Sequence, residues 1–445
     1  MRWIQPGDTD YDEQRRVYNA MIDKRPRVIA ACTGADDVRA ALARAREDGL
    51  AVAVRAGGHS VAGMSSNDDG LVIDVRPMRS LDLDETGRRV KVGAGLTWSD
   101  FDRATQQHGL ATTGGRVSTT GVCGLTIGGG SGWLERTHGL ACDNLIGVDL
   151  VTADGREVHA DATHEPDLLW ASKGGGGNFG VITSLEFQLH PLGPLVYAGL
   201  LVWDGSRTAE VAAAFRDWAD AAPTELGPAL VAFSAPAEDP FPPHLHDKPI
   251  VAVAALWMGD EDSGNDIVKP MRDLRPDLDL IGMMPYADFQ CMIDDPPGNR
   301  HYWSADYHDD LSDEALDVFV RGSAARPSPL TQNLLLPWGG AVAAIGEDDT
   351  PMTMRNAAWV SHPFGVWERA EDDEVNIAWV REFRRSIAPY TNGGTYLNFI
   401  GDEGQDRVRA AFGEQKYARL AAIKAEYDPD NVFAGNQNIR PAVPA

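Results

Sequence analysis

The chain has 445 residues, of which 43% are hydrophobic and 24% charged, a composition typical of a globular protein with two or three domains. Its 66 acidic and 40 basic residues give a net charge of −26, which argues against nucleic-acid and anionic-membrane binding. The four cysteines are widely scattered and form no CxxC pair, so neither a disulfide framework nor a thiolate zinc site is expected.

The first residues, MRWIQPGDTDYDEQRR, contain no apolar leader segment, and no run in the sequence approaches 18 apolar residues. We therefore expect a cytoplasmic protein without membrane association.

The first half of the chain predicts a βαβ unit over residues 27–55, with strands in RVIAAC and LAVAVR and a helix that ends at Gly49. Thr33 with Asp36, and Thr97 with Asp100, have the spacing of capping boxes and predict two helix starts. Asp154-Gly155 predicts the turn of a hairpin over residues 146–160. Further elements are predicted in GLVIDV, RVKVGAG and FGVITSLEFQLH as strands and in PDLLWASK as a helix.

The composition changes after Pro191, where glycine-rich loops give way to strands and amphipathic helices, and we place a domain boundary near residue 192. Strands are predicted in LVYAGLLVW, ALVAF and IVAVAALWM, and helices in TAEVAAAFRDWADAA, DDEVNIAWVREFRRSIA and QDRVRAAFGEQKYARLAAIKAEY. Residues 236–247 are rich in proline and histidine and predict a surface loop.

Glycines cluster at residues 57–58, 114–115, 121–132 and 174–180. Glycine permits positive φ and close backbone approach to a ligand, and successive free N–H groups can hold phosphate oxygens. The GxxxxGK[ST] phosphate loop is absent, and neither GAGLTW nor GGGSGW has the spacing and context of a dinucleotide-binding fingerprint. The clusters therefore indicate a phosphate cradle of another type, with ordinary tight turns as the alternative.

Taken together, five segments resemble the berberine-bridge-enzyme-like flavoprotein oxidases of the vanillyl-alcohol-oxidase superfamily: RAGGHSVAG, GLTIGGGSGWLERTHGLACDNL, GGGGNFGVIT, YLNF and YDPDNVFAGNQNI. The resemblance is strongest over residues 27–190 and 390–440. It implies an α+β fold with a PCMH-type FAD-binding domain over residues 1–192 and a substrate-binding domain over 193–399, in which helices back an antiparallel sheet. Residues 400–445 would return to the FAD-binding domain.

In this family the histidine of the RxGGHS loop is bonded covalently to the 8α-methyl group of FAD, and His59 holds that position here. Neutral imidazole is a nucleophile, and a glycine turn would let it reach the edge of the flavin ring. Some members carry a second link through a cysteine, but alignment from GLTIGGG places Val117 at that position and Cys123 six residues later. The resemblance thus implies FAD attached through His59 alone, with Cys123 as a small buried residue near the flavin.

The residues from Ser118 to Val122 are expected close to the flavin ring, and Thr120 falls near a position that influences oxygen access in the family. By the same resemblance, the residues predicted to contact FAD are Arg55, Ala56, Gly57, Gly58, His59, Ser60, Gly63, Val117, Ser118, Thr119, Thr120, Gly121, Cys123, Gly124, Gly128, Gly129, Gly130, Gly132, Trp133, Asn144, Gly180, Val181, Ile182, Asn436 and Asn438.

The catalytic base departs from the family pattern. Many members carry YxNY, in which the second tyrosine is the base, but here the stretch reads YLNF and Phe399 cannot accept a proton. We predict a catalytic role for Tyr396, with packing as the alternative, and expect Asn398 on the opposite face of a strand. A base could also come from HYWSADYHDD, through Tyr302, Tyr307, His301, His308 or Asp306, unless that stretch is a solvated loop. An amine that is already deprotonated would need no base.

No metal is expected, because the pair His244 and His246 in HLH has no third ligand at suitable spacing. His138 is expected to be structural.

The resemblance thus implies an FAD-dependent oxidase that takes hydride from a small molecule and passes the electrons to O2, giving H2O2. An alcohol, a sugar, an amine or a natural-product scaffold are all open as substrates, and the protein would act as a monomer or homodimer. The alternatives are a flavin dehydrogenase with another electron acceptor and a non-catalytic protein that binds flavin or a small molecule.

Overall fold

Three β-sheets, one two-stranded ribbon and the helices packed on them form the described part of the chain, residues 1–295, 297–401 and 404–443, in a computed structural model. The strands are β1 (Arg2–Ile4), β2 (Val28–Ala31), β3 (Val52–Arg55), β4 (Leu71–Asp74), β5 (Leu81–Asp84), β6 (Arg89–Gly93), β7 (Leu110–Ala111), β8 (Leu145–Val151), β9 (Glu157–Asp161), β10 (Val181–Gln188), β11 (His190–Pro191), β12 (Leu195–Asp204), β13 (Leu226–Ser234), β14 (Pro249–Trp257), β15 (Leu278–Asp279), β16 (Gly282–Pro285), β17 (Arg300–Trp303), β18 (Asp306–His308), β19 (Gln332–Pro337) and β20 (Trp359–Trp367). The helices are α1 (Tyr11–Gln14), α2 (Ala35–Glu47), α3 (Trp98–Thr105), α4 (Val122–Ile127), α5 (Glu135–His138), α6 (Pro166–Ser172), α7 (Thr208–Ala221), α8 (Glu261–Arg272), α9 (Tyr286–Phe289), α10 (Asp313–Ala324), α11 (Ala341–Ala344), α12 (Asp373–Ile387) and α13 (Gln405–Tyr427).

The first half of the chain builds two sheets that share one hydrophobic core. The first sheet has the order β1-β2-β4-β3, with β2, β4 and β3 parallel and β1 antiparallel at the edge. The second has the order β5-β6-β10-β8-β9 and is antiparallel throughout. Both sheets contribute to one core with α2, α3 and α6.

The third sheet is antiparallel, and both of its faces are buried. Its central order is β15-β12-β14-β13-β19-β20-β17, with β16 added beside β12 and β18 beside β20. Along β12, Val196, Ala198, Leu200 and Val202 pack in a core on one face, whereas the intervening residues Tyr197, Leu201 and Trp203 pack in the helix-covered core on the other. Helices α7, α8, α10 and α12 cover that second face, so the first face is left to meet the N-terminal half of the chain.

The C-terminal segment returns to the core of the first two sheets. Phe412, Leu420, Tyr427, Phe433 and Ile439 are all buried there. Helix α13 is kinked at Gly413, whose φ of 69° is outside the helical region. The architecture confirms the predicted α+β class, while the division at residues 192 and 399 stays a prediction.

Most predicted elements are present, and the capping box of Thr97 and Asp100 is confirmed at the start of α3. The capping box predicted for Thr33 and Asp36 was wrong. The N-cap residue of α2 is Gly34, and Thr33 donates from its backbone N and Oγ1 to Asp37. Strand β5 was missed. No helix within the described ranges combines the length and the hydrophobicity that a membrane span requires.

The end of α13 is held by a fully buried ion pair. Lys424 Nζ donates to Asp428 Oδ2 at 3.0 Å and to the carbonyl oxygens of Asn178 and Phe433 at 2.9 and 3.1 Å. Asp428 also accepts hydrogen bonds from two backbone N–H groups of the segment that follows. Burial lowers the pKa of Lys424, which its carboxylate partner counteracts.

Replacing Lys424 with Met should destabilise the fold by about 3–5 kcal/mol, because it leaves a buried carboxylate without its cation. Lys269→Met is the matched control, since Lys269 and Asp273 have the same i,i+4 spacing but side chains 64% and 62% exposed. Urea denaturation should show a large decrease in the midpoint for the first variant and little change for the second. Equal midpoints would show that the buried pair does not stabilise this segment.

Candidate active site

A cavity lies where the loops of the first half, the uncovered face of the third sheet and the C-terminal segment meet. From the first half its lining includes Val52, Val54, Ala56, Gly57, Gly58, His59, Ser60, Val61, Met64, Ser65, Val75, Gly115, Arg116, Val117, Thr120, Gly121, Cys123, Gly124, Leu125, Ile127, Gly128, Ser131, Gly175, Gly176, Gly177, Gly180 and Ile182. From the rest of the chain it includes Ile293, Asp295, Trp303, Gln332, Leu334, Leu336, His362, Phe364, Leu397, Asn398, Phe399, Ile400, Phe433, Gly435, Asn436 and Gln437.

Two glycine loops touch each other at the edge of this cavity. A Cβ on Gly57 would lie 2.3 Å from the backbone N of Gly121, and a Cβ on Gly121 would lie 2.4 Å from the backbone N of Gly57. Neither position can therefore carry a side chain without moving backbone. The following residue, Gly58, has a φ of +74°, which turns the chain so that His59 comes to line the cavity.

His59 is held beside the second of these loops. Its Nε2 lies 3.2 Å from Thr119 Oγ1, and its Nδ1 lies 3.4 Å from Thr120 Oγ1. Burial lowers the pKa of His59 to about 4, so the imidazole is neutral near pH 7. A neutral ring with a hydroxyl at each nitrogen can act as a nucleophile once one nitrogen is free of its proton.

Cys123 lines the cavity from α4 and is almost completely buried. Burial raises the pKa of its thiol to about 12, so the reactive thiolate is scarce near neutral pH. Val117, where part of the family would carry the second linking cysteine, also lines the cavity and has no nucleophile.

The cavity walls suit a cofactor with phosphate and ring portions. A Cβ on Gly124 would meet no protein atom within 4 Å, so the wall is open there. Asn436 Oδ1 and Ser65 Oγ are buried without a hydrogen-bond partner among the described residues, although both residues line the cavity. Both atoms are therefore available for a hydrogen bond with a ligand in the cavity. Glycine backbone, a Ser65 hydroxyl that can donate or accept, an Asn436 amide oxygen that accepts, and apolar walls fit the phosphate, polar and ring portions of FAD.

The structure brings fourteen of the predicted cofactor residues into the lining: Ala56, Gly57, Gly58, His59, Ser60, Val117, Thr120, Gly121, Cys123, Gly124, Gly128, Gly180, Ile182 and Asn436. Eleven stand outside it: Arg55, Gly63, Ser118, Thr119, Gly129, Gly130, Gly132, Trp133, Asn144, Val181 and Asn438.

Several of the residues outside the lining are engaged with other protein groups. Arg55 donates to Asp74 in a buried ion pair, Trp133 packs on Phe289, and Asn144 Nδ2 donates to two backbone carbonyls. A direct cofactor contact for the eleven residues stays a prediction.

Tyr396 also stands outside the lining, and its hydroxyl is occupied. The backbone N–H groups of Gly130 and Ser131 donate to it at 2.6 and 2.9 Å, and Asn398 Nδ2 donates at 3.0 Å. Burial raises the pKa of Tyr396, so the phenol is protonated. The tyrosine therefore fixes the glycine loop that ends at Ser131, which corresponds to the packing alternative for this residue.

The stretch YLNF is not a strand, and the expectation that Asn398 lies on an opposite strand face was wrong. Residues Leu397–Phe399 form a 3₁₀ turn, so Asn398 lies next to Tyr396 and borders the cavity. Asn398 Nδ2 also donates to the carbonyl oxygen of Leu125 at 2.9 Å, which joins this turn to α4.

The cluster HYWSADYHDD is not a solvated loop: residues 300–303 and 306–308 are strands β17 and β18. Only its Trp303 lines the cavity. Asp306 pairs with Arg384 and Arg407, and both nitrogens of His308 have partners, the carbonyl oxygen of Tyr390 and Ser361 Oγ. His301 and Tyr307 are buried, and Tyr302 is partly exposed.

A histidine that the sequence did not single out, His362 on β20, lines the cavity instead. Its Nδ1 lies 2.8 Å from the carbonyl oxygen of Ser304, which can only accept, so the proton is on Nδ1 and Nε2 carries the lone pair. No described residue contacts Nε2 within hydrogen-bond distance, and burial lowers the pKa of His362 to about 4. His362 is thus a neutral base with an available lone pair.

Aromatic rings surround His362. Phe399 stacks on it with ring centres 4.1 Å apart, while Trp303 and Phe364 stack on each other at 4.1 Å and meet His362 edge-on. The charged side chains nearby are already partnered, because Arg116 pairs with Glu135 and Asp295 accepts from Tyr18. The polar side chains of the lining around these rings are His362, Gln332, Asp295, Asn398 and Arg116, and the other side chains there are apolar.

The remaining histidines lie elsewhere. His244 faces Asp277 at 3.4 Å, and His246 Nε2 lies 2.7 Å from the carbonyl oxygen of Phe241. His138 stacks on His190 outside the cavity lining. No group of three or more metal-ligating side chains occurs within residues 1–295, 297–401 and 404–443.

Replacing Tyr396 with Phe should lower the melting temperature and the flavin content, because two buried N–H groups lose their acceptor at about 1–3 kcal/mol each. The rate of flavin reduction per bound flavin should fall far less than the loss of a general base would require, about 100-fold or more. Thermal unfolding, flavin absorbance and single-turnover reduction measure the three quantities. A stable, flavin-replete variant without reduction would restore Tyr396 as the base.

Two family models match parts of this chain that contribute to the cavity. The family described as "FAD binding domain" matches residues 26–161, and the family "Berberine and berberine like" matches residues 395–440. (R)-6-Hydroxynicotine oxidase of Paenarthrobacter nicotinovorans is 30% identical over 455 residues, covering 98% of this chain and 96% of the relative.

Solved structures agree in fold. 6-Hydroxy-D-nicotine oxidase from Arthrobacter nicotinovorans superposes with a TM-score of 0.87 at 27% identity, covering 99% of this chain and 98% of the other. Xylooligosaccharide oxidase from Myceliophthora thermophila C1, at 19% identity, has the same fold with a TM-score of 0.87, covering 99% of this chain and 97% of the other. The chain belongs to the berberine-bridge-enzyme-like FAD-linked oxidoreductases.

Proposed function

We propose that this oxidoreductase carries FAD bonded through His59 alone and oxidises an apolar alcohol or amine, with O2 as the electron acceptor and H2O2 as the product. The observation that carries the proposal is the placement of His59. A neutral imidazole borders a cavity whose wall consists of glycine backbone, and it has a threonine hydroxyl at each ring nitrogen.

The residues of the first half would hold the cofactor. The backbone of Gly57, Gly58, Gly121 and Gly124 offers close approach, and Asn436 and Ser65 offer unpartnered oxygens. When bound, FAD supplies the acceptor for a hydride from substrate and returns electrons to O2. The protein binds and orients both molecules and removes the proton that the substrate must lose.

His362 is the base in this proposal. The Ser304 carbonyl fixes its tautomer, and stacking on Phe399 fixes its ring plane, so the Nε2 lone pair is presented in a constant direction. It would accept the O–H proton of an alcohol, or the N–H proton of an amine, as the adjacent C–H leaves as hydride. Since Phe399 replaces the tyrosine base of many relatives, a base from β20 takes over the role at the same end of the cavity.

The lining supports an apolar substrate that contains a ring. Trp303, Phe364, Leu334, Leu336 and Phe399 offer flat and aliphatic surface but few hydrogen-bond partners. An oligosaccharide would leave many hydroxyl groups unpaired against these side chains, at a cost of about 1–3 kcal/mol for each buried group. Of the classes that the sequence left open, an alcohol or amine on an aromatic or alicyclic scaffold fits best.

Treating the protein with acid tests the link to His59. Flavin colour should stay with the precipitated wild-type protein and move to the supernatant for His59→Ala, because only a covalent bond survives unfolding. Cys123→Ser is the control and should retain its colour in the pellet. Colour that pellets with His59→Ala would implicate another attachment residue, and FAD that is free in the wild-type supernatant would contradict the covalent link.

Anaerobic mixing with benzylic alcohols and cyclic amines should bleach the flavin, and xylobiose should not. Readmission of air should then yield H2O2 in proportion to the substrate oxidised. Bleaching without peroxide would favour the dehydrogenase alternative, and a flavin that none of these compounds bleaches would favour the non-catalytic one.

Replacing His362 with Gln should lower the rate of flavin reduction by the best of these alcohols by about 100-fold or more, the usual range for a general base. Bound flavin should be unchanged, because His362 lies on the sheet that faces the substrate. The control is His308→Gln, a buried histidine on neighbouring β18 that does not line the cavity. Equal reduction rates for the two variants would remove His362 from the mechanism.

The pH dependence of this step has a definite sign. Because burial lowers the pKa of His362 to about 4, the basic form is complete at neutral pH and is lost as the pH falls through that value. For an alcohol that does not itself titrate, the rate of flavin reduction should be constant between about pH 6 and 8. If the plot of this rate against pH shows an inflection near pH 6.5, the ordinary pKa of histidine, the buried environment of His362 is contradicted.

A further inference from the structure

Three rings from distant parts of the sequence form a stack at the cavity edge. Tyr18 lies between His59 and His301, with ring centres 4.0 and 4.6 Å away and planes inclined by 18° and 19°. Trp303 meets the edge of Tyr18 at 6.4 Å. The imidazole of His59 therefore has a fixed face as well as the two hydroxyl contacts at its nitrogens.

Tyr18 is itself anchored to both halves of the chain. Its hydroxyl donates to Asp295 Oδ2 at 3.0 Å, and its backbone N donates to the carbonyl oxygen of Gly58 at 3.1 Å. The next residue, Asn19, donates from Nδ2 to the carbonyl oxygens of Val61 and His301. The segment thus ties the His59 loop to strand β17.

The other side of His59 is tied to the same loop of the second half. Asp294, the neighbour of Asp295, accepts hydrogen bonds from the backbone N and Oγ of Ser118, each at 2.6 Å. Ser118 precedes Thr119 and Thr120, whose hydroxyls contact the His59 ring. Asp295 thus holds the ring that stacks on His59, and Asp294 holds the segment whose threonine hydroxyls contact the His59 nitrogens.

We propose that Tyr18 is the positioning residue for attachment of the flavin to His59: its ring fixes the imidazole plane so that a ring nitrogen is aimed along the wall of the cavity. The proposal rests on the histidyl link put forward above. Tyr18 does not itself line the cavity, so it acts through His59 rather than on the flavin.

The attachment converts an N–H of His59 and a C–H of the flavin 8α-methyl group into one C–N bond. The two protons and two electrons released would pass to dioxygen and give hydrogen peroxide, so O2 is the one oxidant that the attachment would need. An imidazole that could rotate about its side-chain bonds would reach the required direction only part of the time. Fixing the ring plane raises the rate of bond formation without adding a contact to the flavin.

The test measures covalent flavin in full-length protein incubated with FAD in air, as the fraction of bound flavin that stays with acid-precipitated protein over time. Tyr18→Leu should bind the same total FAD but attach it at least about tenfold more slowly, since the stacking face is lost. Tyr18→Phe keeps the ring and should attach flavin within about threefold of the wild-type rate. A merely structural role would lower the amount of bound FAD as well. Unchanged total FAD together with slower covalent attachment therefore identifies a positioning role.

Tyr11→Leu is the matched control, because Tyr11 and Tyr18 are both 5% exposed and Tyr11 packs in a separate core away from His59. It should attach flavin at the wild-type rate. Should Tyr18→Leu not fold, Tyr18→Met, whose flexible chain fills the same space, is judged by the same criterion.

Wild-type rates in the Leu or Met variant would overturn the proposal, as would a Phe variant that is as slow as they are. Non-covalent FAD in the wild type would overturn the histidyl link itself, and this outcome is recognised before any variant is compared.

Discussion

The contact between Gly57 and Gly121 is the constraint on which the site depends. Each glycine occupies the space where the Cβ of the other would be, so two loops from separate parts of the chain lie against each other without side chains between them. That approach brings the threonines at 119 and 120 to the ring of His59. The approach of the two backbones thus brings the His59 loop to the cavity, and the side chains of Tyr18, Thr119 and Thr120 then contact the imidazole ring.

The third sheet contributes the opposite wall because both of its faces are buried. Alternate residues of β20 point to the same face of the sheet. His362 and Phe364 line the cavity on that face, and Val360 and Val366 belong to the core beside it. The alternation that normally separates water from core here separates a helix-packed core from a cavity. The cavity itself contains few charges, since Arg116 pairs with Glu135, the two cavity histidines are uncharged, and Asp295 is the carboxylate of the lining.

Local patterns in the sequence anticipated what depends on local structure. The βαβ unit, the hairpin over residues 146–160 and the box of Thr97 and Asp100 follow from neighbouring residues alone. The capping box predicted for Thr33 and Asp36 is absent because Thr33 bonds to Asp37, the next carboxylate along the chain. The spacing in the sequence does not distinguish between these two partners. YLNF failed as a strand because its shape depends on Asn398 bonding to Leu125, 273 residues away.

The site residues that could not be predicted from the sequence depend on contacts between distant segments. Every residue of β20 is buried, so no alternation marks His362 as different from its neighbours. The stack of Tyr18, His59 and His301 joins three segments, and nothing near residue 18 distinguishes that tyrosine from Tyr11. The family resemblance found the loop of His59 but could not supply the base, because this chain departs from the pattern at Phe399.

The two cavity histidines show how similar burial can serve different chemistry. Each has a pKa near 4, but the hydrogen-bond partners of their nitrogens differ. The hydroxyls beside His59 can donate or accept, so either tautomer is tolerated, which suits a ring that must give up its N–H to form a permanent bond. The carbonyl beside His362 can only accept, so it holds one tautomer and keeps Nε2 basic, which suits a ring that takes up and returns a proton in every cycle. Because burial sets the charge of both rings alike, the choice between hydroxyl and carbonyl partners would distinguish the two histidines in the proposed function.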